Sequence, residues 1–205
     1  MRKLTVPISE ETIRALQVGE TVSLSGVIVT GRDAAHKYMI ENFIHTNGQP
    51  PQSEREVYAA LKEILGDGVL YHCGPVVKKE GNTWHFVAAG PTTSIREEPY
   101  EADVMEHFGI RAVIGKGGMG PKTLEACQRL GAVYLHAIGG AASLIAQSVK
   151  EVLAVHKLEF GVPEAFWVIR VEDFPAVVTM DSHGNSLHKQ VVQQSEAQLA
   201  ALLEK

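Results

Sequence analysis

The chain has 205 residues, 45% hydrophobic and 21% charged, with a formal net charge of −5. That is enough apolar material for one full core, and the composition is that of an ordinary globular protein. No block of Lys or Arg exceeds a pair, which argues against a nucleic-acid or membrane-surface role. No run approaches the roughly 20 apolar residues that span a bilayer, and the first residues do not read as a secretory leader, so the expected setting is cytoplasmic.

Ser9 can cap a short helix over residues 10–16. The alternating, β-branched run TVSLSGVIVT (Thr21–Thr30) predicts a strand that enters Gly31-Arg32-Asp33. A helix is expected to follow over 34–45, with Asp33 as its N-cap. Residues 46–52 read as a loop, and Ser53 with Glu56 forms a capping-box pattern for a helix ending at Leu65. Residues 69–77 and 83–89 read as strands joined by KKEGN, and the second delivers the chain into Gly90-Pro91-Thr92-Thr93-Ser94-Ile95-Arg96.

A helix over 100–108 and a short buried strand over 111–114 come next, opening into Gly115-Lys116-Gly117-Gly118-Met119-Gly120. Pro121 sits at the first position of the following helix and Gly131 closes it. Residues 132–137 predict a strand, 141–153 a helix, 166–171 and 176–180 strands, and 193–205 an amphipathic helix. Alternating helices and strands with one hairpin predict an α/β fold with a mixed sheet. Neither an internal repeat nor a Pro-, Gly- or Ser-rich linker divides the chain, so a single domain over 1–205 is expected.

Three strand ends share one pattern: a β-run, a glycine, a polar or charged residue, then a helix. Ligands of open α/β folds collect at such carboxyl ends, where helix starts favour anions. Arg32, Arg96 and Lys116 are the cations there, with Thr92 and Thr93 beside them. Three cations suit a ligand with two carboxylates, an Arg fork matching a carboxylate and a Lys acting as a point charge. Each turn taken alone also fits a solvated surface turn.

The P-loop reading fails because Lys116 is followed by Gly117 rather than Ser or Thr, and GGAAS does not give GxGxxG. The nine histidines are scattered and read as surface or core residues rather than metal ligands. The two cysteines, Cys73 and Cys127, sit in apolar surroundings without CxxC spacing and read as buried free thiols. Two are too few to hold a cubane iron–sulfur cluster in the usual way.

TGRDAAH (30–36), GPTTSIR (90–96), IGKGGMGPKT (114–123) and VEDFPAVVTMDSHGN (171–185) resemble the β subunit of class I fumarate hydratases. The β subunit of L(+)-tartrate dehydratase is a close relative of that family. The resemblance runs in order over nearly the whole chain. It implies a swivelling β/β/α domain and reversible hydration of a four-carbon dicarboxylate, fumarate to malate. It also implies an α subunit that carries a [4Fe–4S] cluster on three cysteines, no metal on this chain, and a dimer of αβ pairs.

Residue by residue, the resemblance implies that Arg32 and Arg96 bind substrate carboxylates. Lys116 contacts the substrate or the leaving oxygen, and Thr92, preferred over Thr93 on spacing, transfers the proton. Asp33 and His36 are implied as supports of the Arg32 turn. Gly31, where tartrate relatives tend to carry Cys, and the tail VEDFPAVV favour fumarate over tartrate or mesaconate. A non-catalytic assembly subunit and a stand-alone phosphate or nucleotide binder are the competing readings.

Overall fold

The computed structural model describes residues 1–203. The first half contains β1 (Arg2–Thr5), α1 (Glu10–Arg14), β2 (Thr21–Thr30), α2 (Asp33–Met39), α3 (Arg55–Leu65), β3 (Val69–Tyr71), β4 (Val76–Glu80) and β5 (Thr83–Ala88). The second half contains α4 (Glu101–Phe108), β6 (Ala112–Gly115), α5 (Pro121–Leu130), β7 (Val133–His136), α6 (Ala142–Ala146), β8 (Val149–His156), β9 (Phe166–Met180) and α7 (Leu187–Leu203).

The sheet is mixed, as its alternating pattern predicts. Strands β2, β3, β6 and β7 lie side by side in parallel. The long β9 runs antiparallel to β7 at one end and to β2 along its length, so the pairings close into a ring. Strand β1 extends β2 in parallel and β8 pairs antiparallel with β9. The hairpin β4–β5 stands apart as a two-stranded ribbon.

Two buried clusters hold these strands. One gathers Leu24, Ile28, Tyr71, Ile114, Leu135, Trp167 and Phe174, with Trp84 and Phe86 of the ribbon packed against it. The other joins Val29, Leu70, Val113 and Phe166 to Met39, Phe43, Leu61, Val104, Phe108 and Cys127 on the helices. Adjacent residues of β2 such as Ile28 and Val29 enter opposite clusters, the period-2 consequence of a strand buried on both faces. Each large apolar side chain so buried contributes roughly 1.5–3 kcal/mol.

Several elements depart from the sequence pattern for identifiable reasons. The helix expected over 141–153 stops at Ala146, and Val149–His156 is a strand; its β-branched Val149, Val152 and Val155 fit a ladder against β9. The strand expected over 69–77 splits, because Gly74-Pro75 interrupts it and Pro offers no ladder donor. The strands expected over 166–171 and 176–180 are one. Asp173, at φ 50°, sits where the β2 register shifts, and it is tied to Ser23 Oγ at 2.9 Å and Ser25 Oγ at 3.0 Å.

No capping box forms at Ser53; a single tight turn, Gln52–Glu54, leads into α3 instead. The N-cap of α2 is Arg32, and Asp33 is the first helical residue rather than the cap. The helix continues as a wider π turn over Ile40–Ile44. Strand β1 shows almost no pattern in sequence because only Leu4 of its four residues is buried. The tail helix begins six residues early, at Leu187, and no side chain along it is buried; residues 204–205 of that expectation lie outside the described residues. Among the described residues no helix is long and apolar enough to cross a membrane.

Candidate active site

The parallel strands β2, β3, β6 and β7 deliver their carboxyl ends to one edge, and the predicted turns meet there. Residues 90–96 cross these ends. The Thr92 N–H donates to the His72 carbonyl at 2.7 Å and the Ser94 N–H to the Lys116 carbonyl at 3.1 Å, while Thr93 pairs with Lys116 and Pro91 with Cys73. Two glycines make this approach possible. A Cβ on Gly115 would overlap Ser94 Oγ and come within 2.8 Å of the Tyr134 hydroxyl, and one on Gly74 would lie 2.6 Å from Arg32 Nη1.

Arg96 Nη2 donates to Thr92 Oγ1 at 2.8 Å, and its Nε lies 3.5 Å from Asp33 Oδ1. Arg32 Nη2 is 4.0 Å from the other Asp33 oxygen, so Asp33 sits between the two guanidinium groups. Arg32 Nε also faces Glu164 Oε1 at 2.9 Å, an ion pair without hydrogen-bond alignment. The Lys116 side chain passes Gly139 beyond the end of β7, and no carboxylate lies within ion-pair reach of it among the described residues. Thr93 and Arg96 are exposed, while Arg32, Thr92 and Lys116 are half-buried. Arg32, Asp33, Thr92 and Arg96 are thus joined through side chains, and Lys116 through its backbone.

Helix N-termini were expected to share in anion binding, but the protein fills two of them itself. At the start of α5 the Glu98 carboxylate accepts from the N–H groups of Gly120, Lys122 and Thr123 and from Thr123 Oγ1. At the start of α2, Glu164 accepts from Ala34 N–H at 3.0 Å. Positive charge left for a ligand is therefore carried by side chains.

Beneath the turns lies a buried polar cluster. His36, placed in sequence as a support of its turn, is fully buried; its Nδ1 contacts the Arg32 carbonyl at 3.0 Å and its Nε2 contacts Glu101 Oε2 at 2.9 Å. His72 Nε2 reaches the same oxygen at 2.8 Å, and His72 Nδ1 meets Ser94 Oγ, which accepts from the Tyr134 hydroxyl. Burial lowers both imidazoles, but Glu101 and Glu97 outweigh it at His36 and raise that group to about 9, while His72 stays below its ordinary value. Burial alone would raise Glu101, yet His72 and His36 hold it at about 2. Glu97, desolvated and facing the Asp33 carboxylate, is pushed up to about 8; Asp33 is lowered, first by Glu97 and then by Arg96 and Arg32.

His72, Ser94, Glu97, Glu101, Tyr134 and Glu164 are absent from the sequence-based site. Only the position of Ser94 within GPTTSIR, and of Glu97 and Glu101 just after it, could have flagged any of them; His72 follows β3, Tyr134 lies on β7 and Glu164 in the turn before β9. The ligand atoms of His36, His72 and Glu101 lie within 4.8 Å of one another, so these residues, scattered in sequence, converge in one buried group.

An iron–sulfur cluster does not fit this chain. Cys73 and Cys127 belong to different buried clusters, and burial pushes the Cys73 thiol up to about 12 and Cys127 higher still, against the thiolate form a cluster needs. A cleft of about 490 Å³ lies under the start of α7 among Met119, Leu124, Met180 and Val192, and none of the four turn side chains lines it. Its apolar walls suit a small dianion poorly, so the cationic turns remain the candidate site.

Comparison with known proteins identifies the family. Over 204 residues, 98% of this chain, it is 52% identical to a Geobacillus stearothermophilus protein named "Putative fumarate hydratase class I", of which it spans 36%. It is 39% identical over 185 residues to the L(+)-tartrate dehydratase subunit beta of Escherichia coli K12, covering 90% of this chain and 85% of that subunit. The family described as fumarase C-terminus matches residues 2–191, a span that takes in every turn of the site and all nine strands of the described residues. The chain belongs to the fumarase C-terminus family.

Proposed function

We propose that the chain is the β subunit of a hydro-lyase that reversibly hydrates fumarate to malate, acting with an α chain that carries the [4Fe–4S] cluster. The observation that carries this reading is the meeting of Arg32, Thr92, Arg96 and Lys116 at one strand-end edge whose neighbouring helix starts are already filled by Glu98 and Glu164. Such a surface takes a dianion through side-chain forks, with one fork bound to a hydroxyl. When bound, the cluster would supply a Lewis acid for the substrate oxygen.

The two guanidinium groups flank Asp33 and present forks for the two carboxylates of the substrate. Thr92 Oγ1 accepts from Arg96, so its own proton points elsewhere, and the adjacent cation favours the ionised oxygen. In the hydration direction Thr92 gives its proton to one carbon while water adds its oxygen to the other; the reverse step returns that proton to Thr92. Lys116 stands near the oxygen that leaves or enters. A carboxylate of the α chain completes the proton path. The higher identity to the protein named for fumarate hydratase, 52% against 39%, supports fumarate before tartrate.

The test is reconstitution with the α chain and assay against fumarate, L(+)-tartrate and mesaconate. Fumarate is expected to turn over fastest. A preference for tartrate would overturn the substrate. Full activity of Thr92→Ala, Arg96→Ala and Lys116→Ala would leave the assembly-subunit reading in its place. Binding of a nucleotide by the isolated chain would favour the third.

A further inference from the structure

The proton positions of the buried cluster follow from its partners. The Arg32 carbonyl can only accept, so His36 Nδ1 carries a hydrogen. Glu101 is held ionised by its two imidazole partners, so the 2.9 Å contact of His36 Nε2 with Glu101 Oε2 requires a second hydrogen, which makes His36 an imidazolium paired with the carboxylate. His72 donates from Nε2 to the same oxygen at 2.8 Å, so its Nδ1 accepts from Ser94 Oγ–H at 2.9 Å. Ser94 Oγ in turn accepts from Tyr134 at 2.8 Å. Two lines of hydrogen bonds therefore run to one oxygen atom of Glu101, one from the start of α2 and one from β7 through Ser94 and His72, within a region where Glu101, His36, His72 and Ser94 are completely buried.

Each line ends on a functional turn. His36 holds the Arg32 carbonyl, the His72 carbonyl holds the Thr92 N–H, and Ser94 holds the Lys116 carbonyl through its own N–H. We propose that Glu101 is a positioning residue: through His36 and His72 it fixes the Arg32, Thr92 and Lys116 turns relative to one another. Glu101 touches none of the reacting groups. It lies on the first turn of α4, a helix otherwise anchored by Val104, Met105 and Phe108, so the helix can stay docked when the carboxylate is changed. The catalytic part of this proposal rests on the function proposed above; the structural part does not.

Glu101→Gln keeps the shape but presents an amide where two N–H donors converge. In the chain alone, hydrogen exchange at the Thr92 and Ser94 amides is expected to speed by at least ~10-fold, with exchange in β2 and β9 unchanged. In the reconstituted complex, kcat is expected to fall by about 10²-fold, the scale of a small misplacement of reacting groups, with a smaller change in KM. Glu106→Gln, on the exposed face of the same helix, should alter neither. Should Glu101→Gln fail to fold, Ser94→Ala tests the Thr92–Lys116 side alone and should leave the His36 imidazolium visible by nitrogen NMR.

Unchanged exchange at Thr92 and Ser94 would overturn the proposal, as would loosened amides with full kcat. Loss of protection on dialysis against EDTA would also overturn it, in favour of a cation held between the three side chains. A wild-type complex inactive on every dicarboxylate, with the exchange result as expected, would count against the proposed reaction and not against the positioning of the turns.

Discussion

Arg96 donates to the hydroxyl of Thr92 at 2.8 Å while its Nε lies 3.5 Å from Asp33, so in the proposed function one guanidinium would both prepare the proton-transfer oxygen and bind a carboxylate. The two roles separate on substitution. Thr92→Ala is expected to lower kcat by ~10²–10⁴-fold in the reconstituted enzyme, the usual contribution of a positioned acid–base group. Thr92→Ser should recover a large part of it, and Thr93→Ala, at an exposed position, should stay within a few-fold of wild type. A larger loss at Thr93 would exchange the assignments.

Arg96→Lys preserves charge but loses the fork that spans Thr92 and Asp33. It is expected to lower kcat/KM by at least ~10-fold, with much of the loss in kcat because the Thr92 contact goes too. Steady-state kinetics on the complex would decide this; a pure KM effect would mean that Arg96 binds substrate without tuning Thr92.

Stability should decline toward alkaline pH. His36 is raised to about 9 and Glu97 to about 8, so both bind their protons more tightly in the folded state. Such raised groups give their full stabilisation below their unfolded values and lose it as pH climbs through the folded ones. Tm is therefore expected to fall from about pH 5 to about pH 9, the Glu97 part first and the His36 part mostly above pH 7, by about 2–4 °C per kcal/mol lost at this chain length. Glu97→Gln, which mimics the protonated acid, should flatten part of the decline. Glu101 has the opposite sign: its contribution is present above the ordinary carboxylate range and disappears only as pH drops through about 2. Calorimetric scans across this range supply the check.

Gly115→Ala would push a methyl group into Ser94 and against Tyr134. Overpacking of this kind costs roughly 1–3 kcal/mol. Because Ser94 fixes the Lys116 carbonyl, activity in the complex should fall with Tm. Gly117→Ala meets open space but carries φ 81°, so any loss there is strain alone.

Glu98→Ala removes the carboxylate that caps α5 through three N–H groups and the Thr123 hydroxyl. Loss of a cap costs about 1 kcal/mol, readable in urea unfolding. A vacated helix start should also gain affinity for sulfate or phosphate, measurable by calorimetry on the isolated chain.

The sequence makes the strand-end turns legible because each depends on local signals: a β-branched run, a glycine and a helix start. The same signals mark β2, β6 and α5 closely. What they miss depends on long-range partners. Strand β8 reads as a continuation of α6 until β9 offers it a ladder, and β9 reads as two strands because its bulge at Asp173 carries turn residues. His36 and His72 are 36 residues apart and Glu101 lies 29 further on, so their convergence exists only once α2, the end of β3 and α4 are packed. Glu164 and Glu98 look like ordinary surface acids; only the fold shows that they occupy helix starts that the turn pattern had offered to a ligand.

Those two occupied helix starts bear on how this edge can change over time. Charge supplied by main-chain amides is inherited with the fold and is hard to remove. Charge supplied by Arg32, Arg96 and Lys116 can be redrawn one codon at a time while the backbone stays as it is. A scaffold built this way can change the ligand it takes without first having to refold.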